Sequence, residues 1–175
     1  LNEPWCSAFL GYGSGDHAPG RTDGSDALRA AHHLMLGHGL ATQELRSRDE
    51  TLSLGLTLNF TDIAPATDSE ADRDAARRLD GLSNRYFTDP ILTGRYSADV
   101  MEDVAALWPA DLVHDGDLEI ISTPIDVLGV NYYFGTAVSG GGLSDPKAIE
   151  QAGAKSRAQE PSPNPGSEHV EVVSR

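Results

Sequence analysis

Residues 52–59 read Leu52-Ser53-Leu54-Gly55-Leu56-Thr57-Leu58-Asn59. An apolar residue at every second position marks a β-strand, because successive strand side chains point to opposite faces. Four leucines occupy one face here, and Ser53, Gly55, Thr57 and Asn59 occupy the other. A surface strand would carry charge on its outer face. A face of small uncharged residues suits a strand that packs on helices with its leucines and turns its other side toward a tight interior.

Helical patterns flank this strand. Upstream, Ala27, Ala31, Leu34, Met35, Ala41 and Leu45 predict a helix from an N-cap at Ser25 to about Arg46–Arg48. Downstream, a helix is predicted from Asp68 or Ser69 to about Tyr86, its acidic start (Glu70, Asp72, Asp74) suiting the positive end of the helix dipole. Pro90 and Gly94 break that pattern, and Ser97 to Leu107 predicts another helix with Val100, Val104 and Leu107 as its apolar stripe. A helical turn is expected near Asp117–Ile121. A second strand follows Pro124, with Val127, Gly129, Asn131 and Tyr133 on one face and Leu128, Val130 and Tyr132 on the other. Residues 1–23, punctuated by Gly11, Gly13, Gly15, Pro19 and Gly20, read as a loop after a strand end. Residues 140–175 differ in kind: a glycine triplet and a Pro161-Ser-Pro-Asn-Pro165 run predict a long Gly/Pro-rich loop, with a strand start at Val170–Val173.

Strands separated by helices imply parallel pairing through crossovers, hence an α/β fold. Three strands covered on both sides cannot close a sheet by themselves, so either bare edges or further polypeptide are expected.

Composition removes several classes of function. The 175 residues carry a formal charge of −14, which opposes the clustered Lys and Arg that a nucleic acid needs. The single cysteine, Cys6, cannot form an internal disulfide, and it leaves any cysteine-based metal site at least three ligands short. No stretch has the apolar length of a membrane span, and the start at Leu1 is neither an initiator methionine nor a signal peptide. With no contrary signal, a cytoplasmic location is the expectation.

The start reads Asn2-Glu3-Pro4-Trp5, followed by Gly11-Tyr-Gly-Ser-Gly-Asp-His17-Ala-Pro-Gly20. Further blocks are Gly55-Leu-Thr-Leu-Asn59, Asn84-Arg-Tyr-Phe-Thr-Asp-Pro-Ile-Leu-Thr-Gly-Arg-Tyr96 and Asp126-Val-Leu-Gly-Val-Asn-Tyr-Tyr133. Taken in order, and over about four-fifths of the chain, these blocks resemble glycoside hydrolase family 1, the β-glucosidase-like enzymes. The resemblance implies a partial (β/α)8 TIM barrel, roughly strands 4 to 6 with their helices. Residues 1–139 would be a central segment of the catalytic domain, and residues 140–175 the loop leading toward the next barrel strand.

The same resemblance implies a retaining β-glycosidase acting on terminal β-linked glucosides by double displacement, with neither metal nor organic cofactor. Glu3 is then the catalytic acid/base, at the C-terminal end of a strand where barrel enzymes place such groups. Asn2 would bind the sugar 2-hydroxyl and Trp5 would line the aglycone side. Asn131 and Tyr133 would lie near the sugar, the tyrosine hydroxyl orienting the nucleophile. Strand parity separately puts Asn131 and Tyr133 on one face, and Asn59 is a weaker candidate. The family's nucleophile is a glutamate in a Thr-Glu-Asn-Gly block, and no glutamate here has that context. Asp16 departs from the pattern as well. The 175 residues alone are therefore expected to be inactive and poorly soluble, with a β-glucoside or oligosaccharide and the missing remainder of the barrel as partners, and no nucleic acid or membrane.

Plainer readings weigh against each motif. Asn-Glu-Pro alone is an ordinary turn. His32, His33 and His38 lack a His-Glu-x-x-His pattern and read as packing residues, as do Tyr12 and Trp108. Cys6 reads as a small buried thiol rather than a nucleophile. An alternative function is a non-catalytic sugar-binding or regulatory remnant, in which Asn2, Trp5, Asn131 and Tyr133 grip a sugar without turnover. A carbon–sulfur glycosidase is disfavoured because that lineage tends to replace the acid glutamate, which is present as Glu3.

Overall fold

A computed structural model describes residues 1–140; the expected loop beyond Gly140, with its strand start at Val170–Val173, lies outside the described residues. Two parallel strands, β1 (Gly55–Pro65) and β2 (Val127–Val138), pair from Gly55–Val127 onward, bringing Asn59 opposite Asn131. The register shifts between Phe60 and Asp62, where β2 carries one extra residue. On the other side of β1, Asn2 makes an isolated parallel bridge to Thr57: the Glu3 N–H donates to the Thr57 carbonyl at 2.9 Å, and the Thr57 N–H to the Leu1 carbonyl at 2.9 Å. The expected first strand is thus a single bridge among the described residues.

β1 behaves as its alternation requires, although it starts three residues later than the pattern. Leu56 and Leu58 are buried against the helices, whereas Leu52 lies outside the strand and is exposed. β2 departs from the expectation of a strand covered on both sides. Val130 is 59% exposed and Tyr132 56%, because β2 forms the open edge of a two-stranded sheet among the described residues.

Helix α1 (Gly24–Arg48) is capped one residue pair earlier than predicted. Asp23, not Ser25, is the N-cap, its Oδ1 accepting from the Ser25 and Asp26 N–H groups. Its buried face also differs. Ala27, Leu28, Ala31 and Met35 are buried as the period predicts, but the face continues through His38, Gly39 and Thr42, while Ala41 and Leu45 are exposed. The reason is a close approach of backbone: a Cβ on Gly39 would sit 2.0 Å from the Ile120 carbonyl oxygen. Only glycine lets α5 (Asp117–Ile121) lie so near α1. Thr42 satisfies its hydroxyl on the His38 carbonyl, so a polar residue can occupy the buried turn. Truncating a fully buried residue of this face, such as Met35 or Leu28, costs about 2–5 kcal/mol.

The predicted loop at the start is another correction. Residues 4–13 are helical, and Cys6–Gly13 pair in the wider i→i+5 manner of a π-helix, ending where the Ser14 N–H meets the Phe9 carbonyl. Pro4 is compatible with a helix start, and Ala8, Phe9 and Leu10 bury into the core. The glycines of this stretch therefore serve packing more than chain breaking: a Cβ on Gly11 would meet the Ala18 carbonyl oxygen at 2.7 Å.

The second helical region is also longer than predicted. α2 (Glu70–Asp80) is capped by Ser69, whose hydroxyl accepts from the Asp72 N–H. It passes through a π segment (Gly81–Arg85) into α3 (Tyr86–Thr93). Pro90 does not end this run but lies inside α3, which continues to Thr93. The end comes at Gly94, which takes the left-handed conformation (φ 70°). α4 (Ala98–Val104) is shorter than predicted, and the Ser97 hydroxyl donates to Asp89 rather than capping the helix. Arg77 and Arg85 clamp α4 to the α2 region through Asp99 and Asp103, and the Arg85 hydrogen bonds hold the Asp99 carboxyl down at about 2.

The core gathers Trp5, Phe9, Leu28, Met35, Leu56, Leu58, Tyr86 and Phe87 into one cluster, with Tyr12 and Trp108 packed against it as expected of packing residues. Within it, His32 is fully buried and holds two partners, Tyr96 Oη at 2.9 Å and Asp117 Oδ2 at 3.1 Å. A carboxylate only accepts, so Nε2 carries the proton and Nδ1 accepts from the tyrosine hydroxyl. Burial pushes the His32 pKa below its ordinary value, outweighing the opposing pull of Asp117, with His33 and His114 acting in the same direction as burial. The unfolded chain therefore binds a proton that folded His32 refuses. This contribution to stability is complete above about pH 6.5 and is lost as pH falls through the folded value. Imidazole 15N NMR is expected to show His32 as the Nε2–H tautomer and mainly neutral at pH 6.5; a charged ring at that pH would contradict the arrangement.

Candidate active site

The chain reverses direction at Glu3. Its backbone N–H is bound to β1, its carbonyl accepts from the Cys6 N–H at 3.0 Å, and its φ is 46°. Among the described residues it is the only non-glycine at positive φ. Left-handed backbone costs an L-residue on the order of 1–2 kcal/mol, and residues held this way cluster at functional sites. The strand bridge at Asn2–Thr57 and the helix beginning at Pro4 hold it there from both sides.

Glu3 is half-buried, and its two carboxyl oxygens have different surroundings. Oε1 accepts from Asn131 Nδ2 at 2.6 Å and from the Tyr133 hydroxyl at 3.3 Å. Oε2 accepts from the Cys6 thiol at 3.4 Å. The Asn131 amide is shared, reaching Asn2 Oδ1 at 3.4 Å. Asn131 and Tyr133 stand two apart on β2, so the strand period delivers both to the same carboxylate.

Four of the five expected site residues, Asn2, Glu3, Asn131 and Tyr133, are therefore brought together. The Tyr133 hydroxyl, expected to orient a nucleophile, donates to Glu3 Oε1 at 3.3 Å. Trp5 departs from its expected place on an aglycone wall. It is 2% exposed and stacked on Phe9 with ring centroids 5.5 Å apart, so it packs in the core beneath the site. Cys6 was expected to be buried and is half-exposed. It is the residue that sequence reasoning undervalued, and its position three residues after Glu3 at a helix start was the available signal. Asn59, the weaker candidate, is 9% exposed, and its Nδ2 lies 4.0 Å from Cys6 Sγ. Among the described residues no cluster of three or more His, Cys, Asp or Glu side chains could hold a metal ion, and no helix is long and apolar enough to cross a membrane.

Glu3 thus directly follows a parallel bridge to β1, with separate partners for its two carboxyl oxygens. Known proteins are similar to this chain over most of its length. The family model for glycosyl hydrolase family 1 matches residues 1–172. The bifunctional β-D-glucosidase/β-D-fucosidase of Bifidobacterium breve is 46% identical over 134 residues, which are 76% of this chain and 28% of that protein. The crystal structure of a β-glucosidase from Exiguobacterium marinum superposes with a TM-score of 0.76 at 43% identity, covering 79% of this chain and 32% of that one. The virulence factor SghA of Agrobacterium tumefaciens, in complex with its substrate analog salicin, superposes with a TM-score of 0.74 at 38% identity, covering 79% of this chain and 30% of that one.

The chain belongs to glycosyl hydrolase family 1. It spans about 28% of the length of the Bifidobacterium breve relative.

The strained backbone at Glu3 makes a measurable difference between two substitutions that both remove the carboxylate. Glu3→Gly is expected to be more stable than Glu3→Ala by about 1 kcal/mol, since glycine accepts positive φ without a Cβ penalty. Chemical denaturation of the two variants reads this directly, and equal midpoints would remove the claim of strain.

Proposed function

We propose that the whole protein to which this chain belongs is a retaining β-glycosidase that hydrolyses terminal β-linked glucosides, with Glu3 as its acid/base. The 2.6 Å contact of Asn131 with Oε1 is the observation that carries this reading. Two donors at Oε1 favour Oε2 as the oxygen that carries the transferable proton. In the first step the Glu3 proton passes to the glycosidic oxygen as the bond to the anomeric carbon breaks. In the second, ionised Glu3 takes a proton from the water that attacks the glycosyl-enzyme intermediate. The reaction needs neither metal nor organic cofactor.

The nucleophilic carboxylate is supplied by polypeptide beyond the sequence blocks present here, about 5 Å from Glu3 as retention requires. Residues 1–139 act as a central segment of the TIM-barrel domain, corresponding roughly to barrel strands 4 to 6. The exposed apolar side chains of β2, Val127, Val130 and Tyr132, suit burial by the remainder of that barrel. Asn2, next to Glu3, hydrogen-bonds the sugar 2-hydroxyl, while Trp5 acts indirectly by packing under the loop that carries them. The names of the similar proteins support a β-glucoside as substrate, and SghA with salicin favours an aryl aglycone among those accepted.

In the whole enzyme, Glu3→Gln is expected to lower kcat/KM by about 10²–10⁴-fold on glucosides with poor leaving groups. The loss should be small on 2,4-dinitrophenyl glucoside, which departs without protonation, and azide should restore turnover through a β-glucosyl azide product. Full turnover of Glu3→Gln on unactivated glucosides, with no added nucleophile, would overturn the assignment.

A further inference from the structure

The two oxygens of Glu3 are held from different directions. Oε1 is served from β2, whereas Oε2 meets Cys6 Sγ at 3.4 Å, from the first turn of the helix that Glu3 precedes. Cys6 in turn lies 4.0 Å from the Nδ2 of Asn59, a largely buried amide on β1 directly across the register from Asn131. A chain of contacts thus runs Asn59–Cys6–Glu3–Asn131, from one strand through the carboxylate to the neighbouring strand.

We propose that Cys6, steadied by Asn59, is a positioning residue for the acid/base: its thiol holds Oε2, the oxygen that gives up and regains the proton. The inference rests on Glu3 being the acid/base. As the proton leaves Oε2 for the glycosidic oxygen and the anomeric C–O bond breaks, negative charge appears on Oε2. The S–H group is placed to donate to that charge. During the second half of the reaction Oε2 recovers a proton from water, and the thiol must let it return. A weak donor suits an oxygen that alternates between these states, since a strong one would favour the ionised form throughout the cycle. Asn59 sets the thiol by contact with the sulfur, which accepts only weakly, so its effect on Glu3 is transmitted through Cys6.

The test compares Cys6→Ala, Cys6→Ser and Glu3→Gln in the whole enzyme, measuring kcat/KM on methyl glucoside and on 2,4-dinitrophenyl glucoside. A mispositioned acid penalises only the substrate whose leaving group needs its proton; general damage to packing penalises both alike. Cys6→Ala is expected to lose about tenfold on methyl glucoside, the size of one lost hydrogen bond to a charged group, and less than about twofold on the activated substrate. Cys6→Ser, which keeps a donor, is expected to recover most of the loss. Cys6→Val gives the same reading through a second side chain with no donor, should Cys6→Ala fold poorly. Equal losses on the two substrates, no loss on either, or a serine variant as impaired as alanine would each overturn the proposal. Glu3→Gln separates the two claims. If it shows the leaving-group dependence while the Cys6 variants do not, the role of Cys6 falls and the acid/base stands; if Glu3→Gln shows none, the acid/base reading itself falls.

Discussion

Two backbone hydrogen bonds at Thr57, one to Glu3 and one from its own N–H to Leu1, tie the beginning of the chain to the middle strand. Everything at the site depends on that tie. It fixes the left-handed turn at Glu3 and sends the carboxyl group toward β2, while the same strand, on its other edge, fixes the register that sets Asn131 opposite Asn59. Three segments separated by more than fifty residues each thus place their functional groups with the precision of a sheet ladder. Main-chain hydrogen bonds are suited to this task because their geometry leaves little freedom along the strand.

Helix packing holds the sheet in that state. Leu56 and Leu58 anchor β1 on the core, where Phe9, Tyr86 and Phe87 meet edge to face. Trp5 belongs to the same cluster, so the residue two positions after Glu3 is fixed by apolar burial while Glu3 itself stays accessible. Strain at Glu3 is tolerated because both flanking segments are tied down. The buried His32–Asp117–Tyr96 group plays a similar part farther away, joining α1 to α5 through hydrogen bonds where glycine at position 39 allows the backbones to approach.

Much of this was legible in the residues. The alternation around Gly55–Asn59 identified β1 and its leucine face, and the two-residue spacing of Asn131 and Tyr133 placed them together. A helix start at Asp68 or Ser69 was legible from residue type, and Ser69 is the cap, whereas the end at Gly94 lies beyond the Tyr86 that the pattern suggests. The failures share a cause. The π-helix at Cys6–Gly13 was hidden because glycine lowers helix propensity, and propensity is outweighed when Ala8, Phe9 and Leu10 can bury. Leu45 looked like core and is exposed, while Thr42, outside the expected apolar stripe, is buried beside His38, since the position of α5 and not hydropathy decides which face of α1 is covered.

The amino-acid sequence by itself determined the two strands, the helices between them and the family, because these reside in short patterns that local chemistry makes readable. Tertiary structure alone decided that Tyr133 turns to Glu3, that Trp5 lies beneath the site, and that Cys6 meets one carboxyl oxygen while Asn131 meets the other. Those contacts join residues distant along the chain, or depend on the handedness of one backbone turn. No spacing of residues encodes such an outcome until the sheet register and the packing of the helices have been set.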